Sequence, residues 1–173
     1  MAAGDEQSLI VWTRALAQVG ALNVAAYPEA QDWRYTSVAD LILDLGRLFT
    51  PSERPANERG ELGKCYRNAR EHADRHANGV YVEGLAMTTN TFGIQFEHAW
   101  CAREDIAIDP TWPDGVAYLG VPFTADFRLD RQLQTGQWAL LWTNSVQDLL
   151  RDGIPDDGLV DVGRPLPSTD RVL

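Results

Sequence analysis

The sequence predicts an α+β fold, with helices first and antiparallel strands after them. Two observations carry this. Apolar residues recur at helical spacing as far as Ala77, and from Gly79 onward the apolar period shortens to two. A third bounds the size: 173 residues with 45% hydrophobic content suffice for one core and are too few for two comfortable ones. Residues 1–173 therefore read as a single domain. Within it, 1–50 form a helical part, 60–123 a core, and 153–173 a surface tail rich in Pro, Gly and Asp.

The first helix runs from Glu6 to about Leu22, with Leu9, Trp12, Leu16 and Val19 as its apolar stripe. Thr36 or Ser37 caps a second helix, striped by Val38, Leu41, Ile42, Leu45 and Leu48 and stopped by Pro51. The stretch "TPSERPANERGELG" is a loop, and "KCYRNAREHADRHANG" after it is a third helix. Strands follow at "GVYVEGLAM", "FGIQFEHAWCA", "DIAIDPTW" and "VAYLGVPF". A helix over Ala125 to Gln134, a short strand "QWALLW" and a last helix "VQDLLRD" capped by Ser145 complete the series.

Charge narrows the function. The chain carries 25 acidic against 15 basic residues, and its single lysine is Lys64, so no basic stripe is available for a phosphate backbone and nucleic-acid binding is not expected. No stretch reaches eighteen apolar residues, and the N-terminus lacks the basic start of a signal peptide. A cytoplasmic protein without membrane association is expected, its two cysteines reduced.

Those cysteines need separate explanations. On a helical wheel Cys65, Tyr66, Ala69, Ala73, His76 and Ala77 share one side, and Arg67, Arg70, Glu71, Asp74 and Arg75 take the other. Gly60 and Gly63 place Cys65 in the first turn, where unpaired N–H groups and the helix dipole favour a thiolate and a lowered thiol pKa. The bland alternative is a buried structural cysteine. A metal site would rest on His72 and His76, four residues apart. The zinc-protease pattern needs Glu after the first histidine, where Ala73 stands, and no third ligand has suitable spacing unless Cys65 is recruited from about two turns away. Neither metal nor cofactor is expected, and both histidines read as structure.

A nucleophilic thiol needs a base, and the base an orienting group. If "EHAWCAREDIAIDPTW" is a hairpin turning at Arg103 and Glu104, Ala102 pairs with Asp105 and His98 faces Asp109. A register slip of one residue would separate them onto opposite faces. Cys101, three residues from His98, points the other way into the core, while Trp100 shares the face of His98. Glu83 and Glu97 read as solvent-facing.

The order Cys65, "YVEGLA", "HAW" and "DPTW", over residues 60 to about 123, resembles the transglutaminase-like superfamily of the papain-like cysteine-enzyme fold. The resemblance implies a catalytic helix packed on an antiparallel sheet, with Cys65, His98 and Asp109 as the catalytic triad. The chain is smaller than a eukaryotic transglutaminase, and no upstream oxyanion-stabilising side chain is recognisable. Tyr66, Tyr81, Trp100 and Trp112 are expected as substrate-binding walls. The expected function is a cysteine hydrolase, a protease, amidase or deamidase, acting through a thioester on a protein, peptide or small amide. The alternatives are an acyltransferase of transglutaminase type and a non-catalytic binding module that keeps the fold.

Overall fold

The computed structural model describes residues 2–24, 28–52, 59–89 and 93–167. Parts of three regions treated above lie outside them: the loop at 53–58, the strand break at 90–92 and the end of the tail at 168–173. The architecture is mixed α+β, built on five strands that close into a barrel in the order β1-β4-β3-β2-β5. The strands are β1 (Arg47–Pro51), β2 (Val80–Thr88), β3 (Phe96–Arg103), β4 (Ile106–Ile108) and β5 (Gly115–Phe123). The helices are α1 (Ala2–Val24), α2 (Val38–Leu45), α3 (Cys65–Arg75), α4 (Ala125–Thr135) and α5 (Gln147–Asp152). Among the described residues no helix is long and apolar enough to cross a membrane.

The strand alternation sorts side chains into two cores. Val82, Ala86, Trp100, Ala102 and Tyr118 point inward and fill the barrel. Tyr81, Leu85, Ala99, Cys101, Leu119 and Val121 point outward and are covered by a helical layer that includes Leu9, Leu41, Ile42 and Ala69. The barrel is tight where β2 meets β5. A Cβ on Gly84 would lie 2.1 Å from the Leu119 carbonyl oxygen, and one on Gly120 would lie 2.6 Å from the Trp100 ring. Gly84 lets the two backbones approach, and Gly120 leaves room for Trp100 in the interior.

Several sequence expectations change. The sheet is not purely antiparallel, because β1 runs parallel to β4. The second helix ends at Leu45, and Leu48 belongs to β1, a strand the helical stripe concealed. Its cap is Ser37, whose side chain accepts from the Asp40 N–H at 3.1 Å. In α1 the buried face is Leu9, Ile10 and Thr13, whereas Trp12, Leu16 and Val19 are exposed. Gly20 brings α1 close to the start of α2, since a Cβ there would meet Ser37 at 2.5 Å. "QWALLW" is not a strand; residues 137–146 run irregularly after Gly136 ends α4 in the left-handed region. Ser145 does not cap α5, whose N-cap is Val146 with no side-chain hydrogen bond. The described tail is anchored: Leu159 bridges to Phe123, Arg164 bridges to Leu48, and the Arg164 guanidinium pairs with Glu6.

Candidate functional site

Cys65 is the first residue of α3, and its N-cap, Lys64, makes no side-chain capping bond. No capping side chain therefore takes the first backbone N–H groups of the helix. The helix lies on the outer faces of β2 and β3. The Cys101 thiol donates to the Ala69 carbonyl at 2.9 Å, and Asn68 donates to the Glu61 carbonyl at 2.7 Å and to Thr111 Oγ1 at 3.0 Å. Gly60 donates to the Pro110 carbonyl at 2.6 Å, and any Cβ at Gly60 would strike the Asn68 amide at 2.3 Å. Asn68 thus clamps the loop before Cys65 to the loop that carries Asp109.

His98 and Asp109 come together as expected, by a different register. The ladder pairs Arg103 with Ile106 and Ala102 with Ala107, so the turn is Glu104–Asp105 and not Arg103–Glu104. Glu104 takes φ 55°, and the turn is held by Gly163 N–H to the Glu104 carbonyl and Thr50 N–H to the Asp105 carbonyl. Continued, this register sets Thr111 opposite His98 and leaves Asp109 two residues off. A displacement of two preserves the face, where a displacement of one would have lost it. β4 ends at Ile108, and the Asp109 carboxylate reaches back diagonally to His98 Nε2 at 2.7 Å.

This pair is buried, with His98 1% and Asp109 4% exposed. Asp109 Oδ2 also accepts from the Tyr118 hydroxyl at 2.8 Å, while Oδ1 accepts from the Thr111 and Trp112 N–H groups at 2.8 and 2.9 Å. Four donors hold one carboxylate, which fixes its orientation. The Trp112 ring lies flat on the imidazole, with centroids 3.6 Å apart and planes 10° off parallel. Burial and the Asp109 carboxylate together push the Tyr118 hydroxyl well above its ordinary range. Because Asp109 uses Nε2, the imidazole has Nδ1 left for a second partner.

The Cys65 thiol is half-buried, and the backbone N–H groups of Ala99, the residue after His98, and of Tyr66 favour its ionised form. Its pKa departs from the sequence expectation. Burial pushes the thiol up, more than those two N–H groups bring it down, and the carboxylates of Glu83 and Asp109 add to the rise. The net direction favours the protonated thiol.

Glu83 accounts for part of that rise and corrects a second expectation. It is 0% exposed, on the outer face of β2, directly across the ladder from Ala99. Alternation alone put it in solvent, but β2 is central in the barrel and both its faces are covered. The Glu83 carboxylate accepts from the Tyr81 hydroxyl at 2.6 Å and from the Leu140 and Leu141 N–H groups at 2.6 and 2.9 Å. Desolvation still dominates and raises its pKa to about 7.

Of the four expected walls, Tyr81 and Trp100 are buried, at 2% and 0% exposure. Tyr81 supports Glu83, and Trp100 packs against Tyr118 and edge-on against Phe49 inside the barrel. Tyr66 and Trp112 are partly exposed. The helix histidines are apart from all this: His72 is buried, and His76 Nδ1–H donates to the His72 carbonyl at 2.9 Å. Among the described residues no group of three or more His, Cys, Asp or Glu side chains is arranged to hold a metal ion. Sequence reasoning missed Asn68, Tyr118 and Thr111. The one signal for them was position, since Asn68 lies one turn from Cys65 and Thr111 two residues beyond Asp109.

Comparison with family models, curated proteins and solved structures returns no match for this chain.

Proposed function

We propose that this protein is a cysteine-dependent acyl-transfer enzyme, a hydrolase of amide bonds, with Cys65 as nucleophile, His98 as base and Asp109 as the group that orients the base. The observation that carries the reading is the buried His98–Asp109 pair at 2.7 Å, whose strand neighbour Ala99 has a backbone N–H that favours ionised Cys65. The arrangement, a cysteine opening a helix that lies on a strand bearing histidine, agrees with the transglutaminase-like resemblance. The closed five-stranded barrel is a coarser likeness, common to other architectures.

Since burial keeps Cys65 protonated, His98 takes the thiol proton as the sulfur attacks the carbonyl carbon, and Asp109 stabilises the imidazolium that results. The S–C bond forms, and the oxyanion is met by first-turn N–H groups of α3. Collapse breaks the C–N bond, and the amine leaves with the proton returned by His98. Water, deprotonated by the same imidazole, then splits the thioester.

The test is alkylation of the native protein by iodoacetamide across pH, with the label located by mass spectrometry. Cys65 is labelled and Cys101, buried and bonded to Ala69, is not. His98→Ala slows Cys65 about tenfold or more at neutral pH, and leaves the rate unchanged above the raised pKa of Cys65 itself, where the thiol ionises unaided. Equal inertness of both cysteines rejects the reading and leaves a non-catalytic module of this fold.

A further inference from the structure

A cleft of about 490 Å³ lies against the same outer face of the sheet, and nothing above uses it. Its lining mixes apolar residues, Val38, Leu141, Trp142 and Val146, with neutral polar ones such as Gln137 and Asn144. The charged member of this lining is Glu97, a carboxylate.

Two positions bring the cleft to Ala99, the strand residue whose backbone N–H acts on Cys65. Glu97 is one pleat before Ala99 on the outer face of β3, a separation of about 7 Å. Leu141, on the facing wall, is fixed by its N–H to Glu83, which stands opposite Ala99 in the ladder. Tyr66, the residue after the nucleophile, lies in the fields of Glu83, Cys65 and Glu97 alike. Cleft and thiol therefore share the ground around Ala99.

We infer that this cleft is the acyl-donor groove, and that Glu97 selects amide substrates carrying a cationic side chain next to the scissile carbonyl. The inference rests on the nucleophile reading of Cys65 given above. An aliphatic chain such as that of lysine fits along Leu141 and Trp142, with its ammonium at Glu97. The other polar groups in the lining are neutral, so they supply hydrogen bonds and no competing charge. Glu97 is partly desolvated, which raises its pKa and strengthens its attraction for a cation once ionised. The net charge of −10 draws cations to the surface as a whole and makes the encounter salt-sensitive.

The experiment uses three peptidyl acyloxymethyl ketones that differ only in the side chain next to the warhead: lysine, norleucine or glutamate. The rate of Cys65 modification is followed by intact mass and peptide mapping at low and moderate salt, with iodoacetamide as the reactivity control. The lysine probe reacts about fivefold faster than the norleucine probe, and the glutamate probe slowest. The lysine preference shrinks with added salt and disappears in Glu97→Gln, each ketone rate being divided by that variant's own iodoacetamide rate. Equal rates for lysine and norleucine, or a preference that survives Glu97→Gln, overturn the inference while Cys65 stands as nucleophile. Labelling by iodoacetamide but by no ketone removes the cleft as the substrate groove. Inertness to every reagent removes the nucleophile reading and the groove with it.

Discussion

Two buried carboxylates lie on either side of the same sheet, and they are built alike for different ends. Asp109 faces inward, bonded to an imidazole, a tyrosine hydroxyl and two backbone N–H groups. Glu83 faces outward, bonded to a tyrosine hydroxyl and two backbone N–H groups. The difference is one partner: Asp109 holds a titratable imidazole, and Glu83 holds chain. Glu83 ties the irregular 138–142 segment to the sheet under Cys65, in place of the strand pairing that segment lacks. A buried carboxylate therefore does not declare its role by burial or by the number of its donors; what it orients decides.

The comparison breaks first at Glu83. Glu83→Ala strands the Tyr81 hydroxyl and the Leu140 and Leu141 N–H groups in the interior, and a loss of about 4 kcal/mol is expected from urea unfolding. A loss below about 1 kcal/mol would mean that the segment is held by other contacts.

The next effect is a dependence on pH. The folded pKa of Glu83 is raised from the ordinary 4.5 to about 7, so its contribution to stability is complete below about 4.5 and is lost as pH rises through 7. At about 1.4 kcal/mol per pH unit, that interval amounts to about 3 kcal/mol. Unfolding measured at pH 5 and pH 8 checks it: the wild type is less stable at pH 8 through this group, and Glu83→Gln removes that part of the slope.

Asp109 is expected to behave in the opposite sense. Asp109→Asn keeps the size of the side chain but leaves the imidazolium unsupported. The Cys65 alkylation rate at neutral pH is expected to fall by up to about tenfold, no further than in His98→Ala, with unfolding midpoints shifted far less than in Glu83→Ala. Were the stability loss large and the rate intact, the two carboxylates would exchange roles.

The smallest effect tests the support of Asp109. Tyr118→Phe removes one of four donors and costs about 1 kcal/mol in stability. It also lowers the alkylation rate a fewfold, as the carboxylate gains freedom. An unchanged rate would show that the His98 bond and the two N–H groups suffice to fix it.

Particular residues show how much was legible beforehand. Cys65 at a helix start follows from the glycines and the wheel, and His98 in a strand follows from period two, because both are properties of a few consecutive residues. The same-face relation of His98 and Asp109 survived a wrong turn only because the error was an even number of residues. The segment "QWALLW" misled, since an apolar run is buried alike as a strand or as irregular chain, and its buried N–H groups found a side chain in place of a strand. Trp12, Leu16 and Val19 misled too, because periodicity in α1 marks an apolar stripe but not whether a neighbour covers it.

The sequence by itself determined the α+β class, the residues of most helices and strands, and the Cys65, His98, Asp109 order along the chain. Tertiary structure alone decided that the sheet closes, that β1 joins it parallel to β4, and that both faces of β2 are covered. Closure is a relation between residues far apart, Arg47 with Gly120 and Thr50 with Ile106, and no local period encodes it. It is also what removes Glu83 from water and sets its carboxylate beneath Cys65, since desolvation depends on everything around a group and not on its neighbours in the chain.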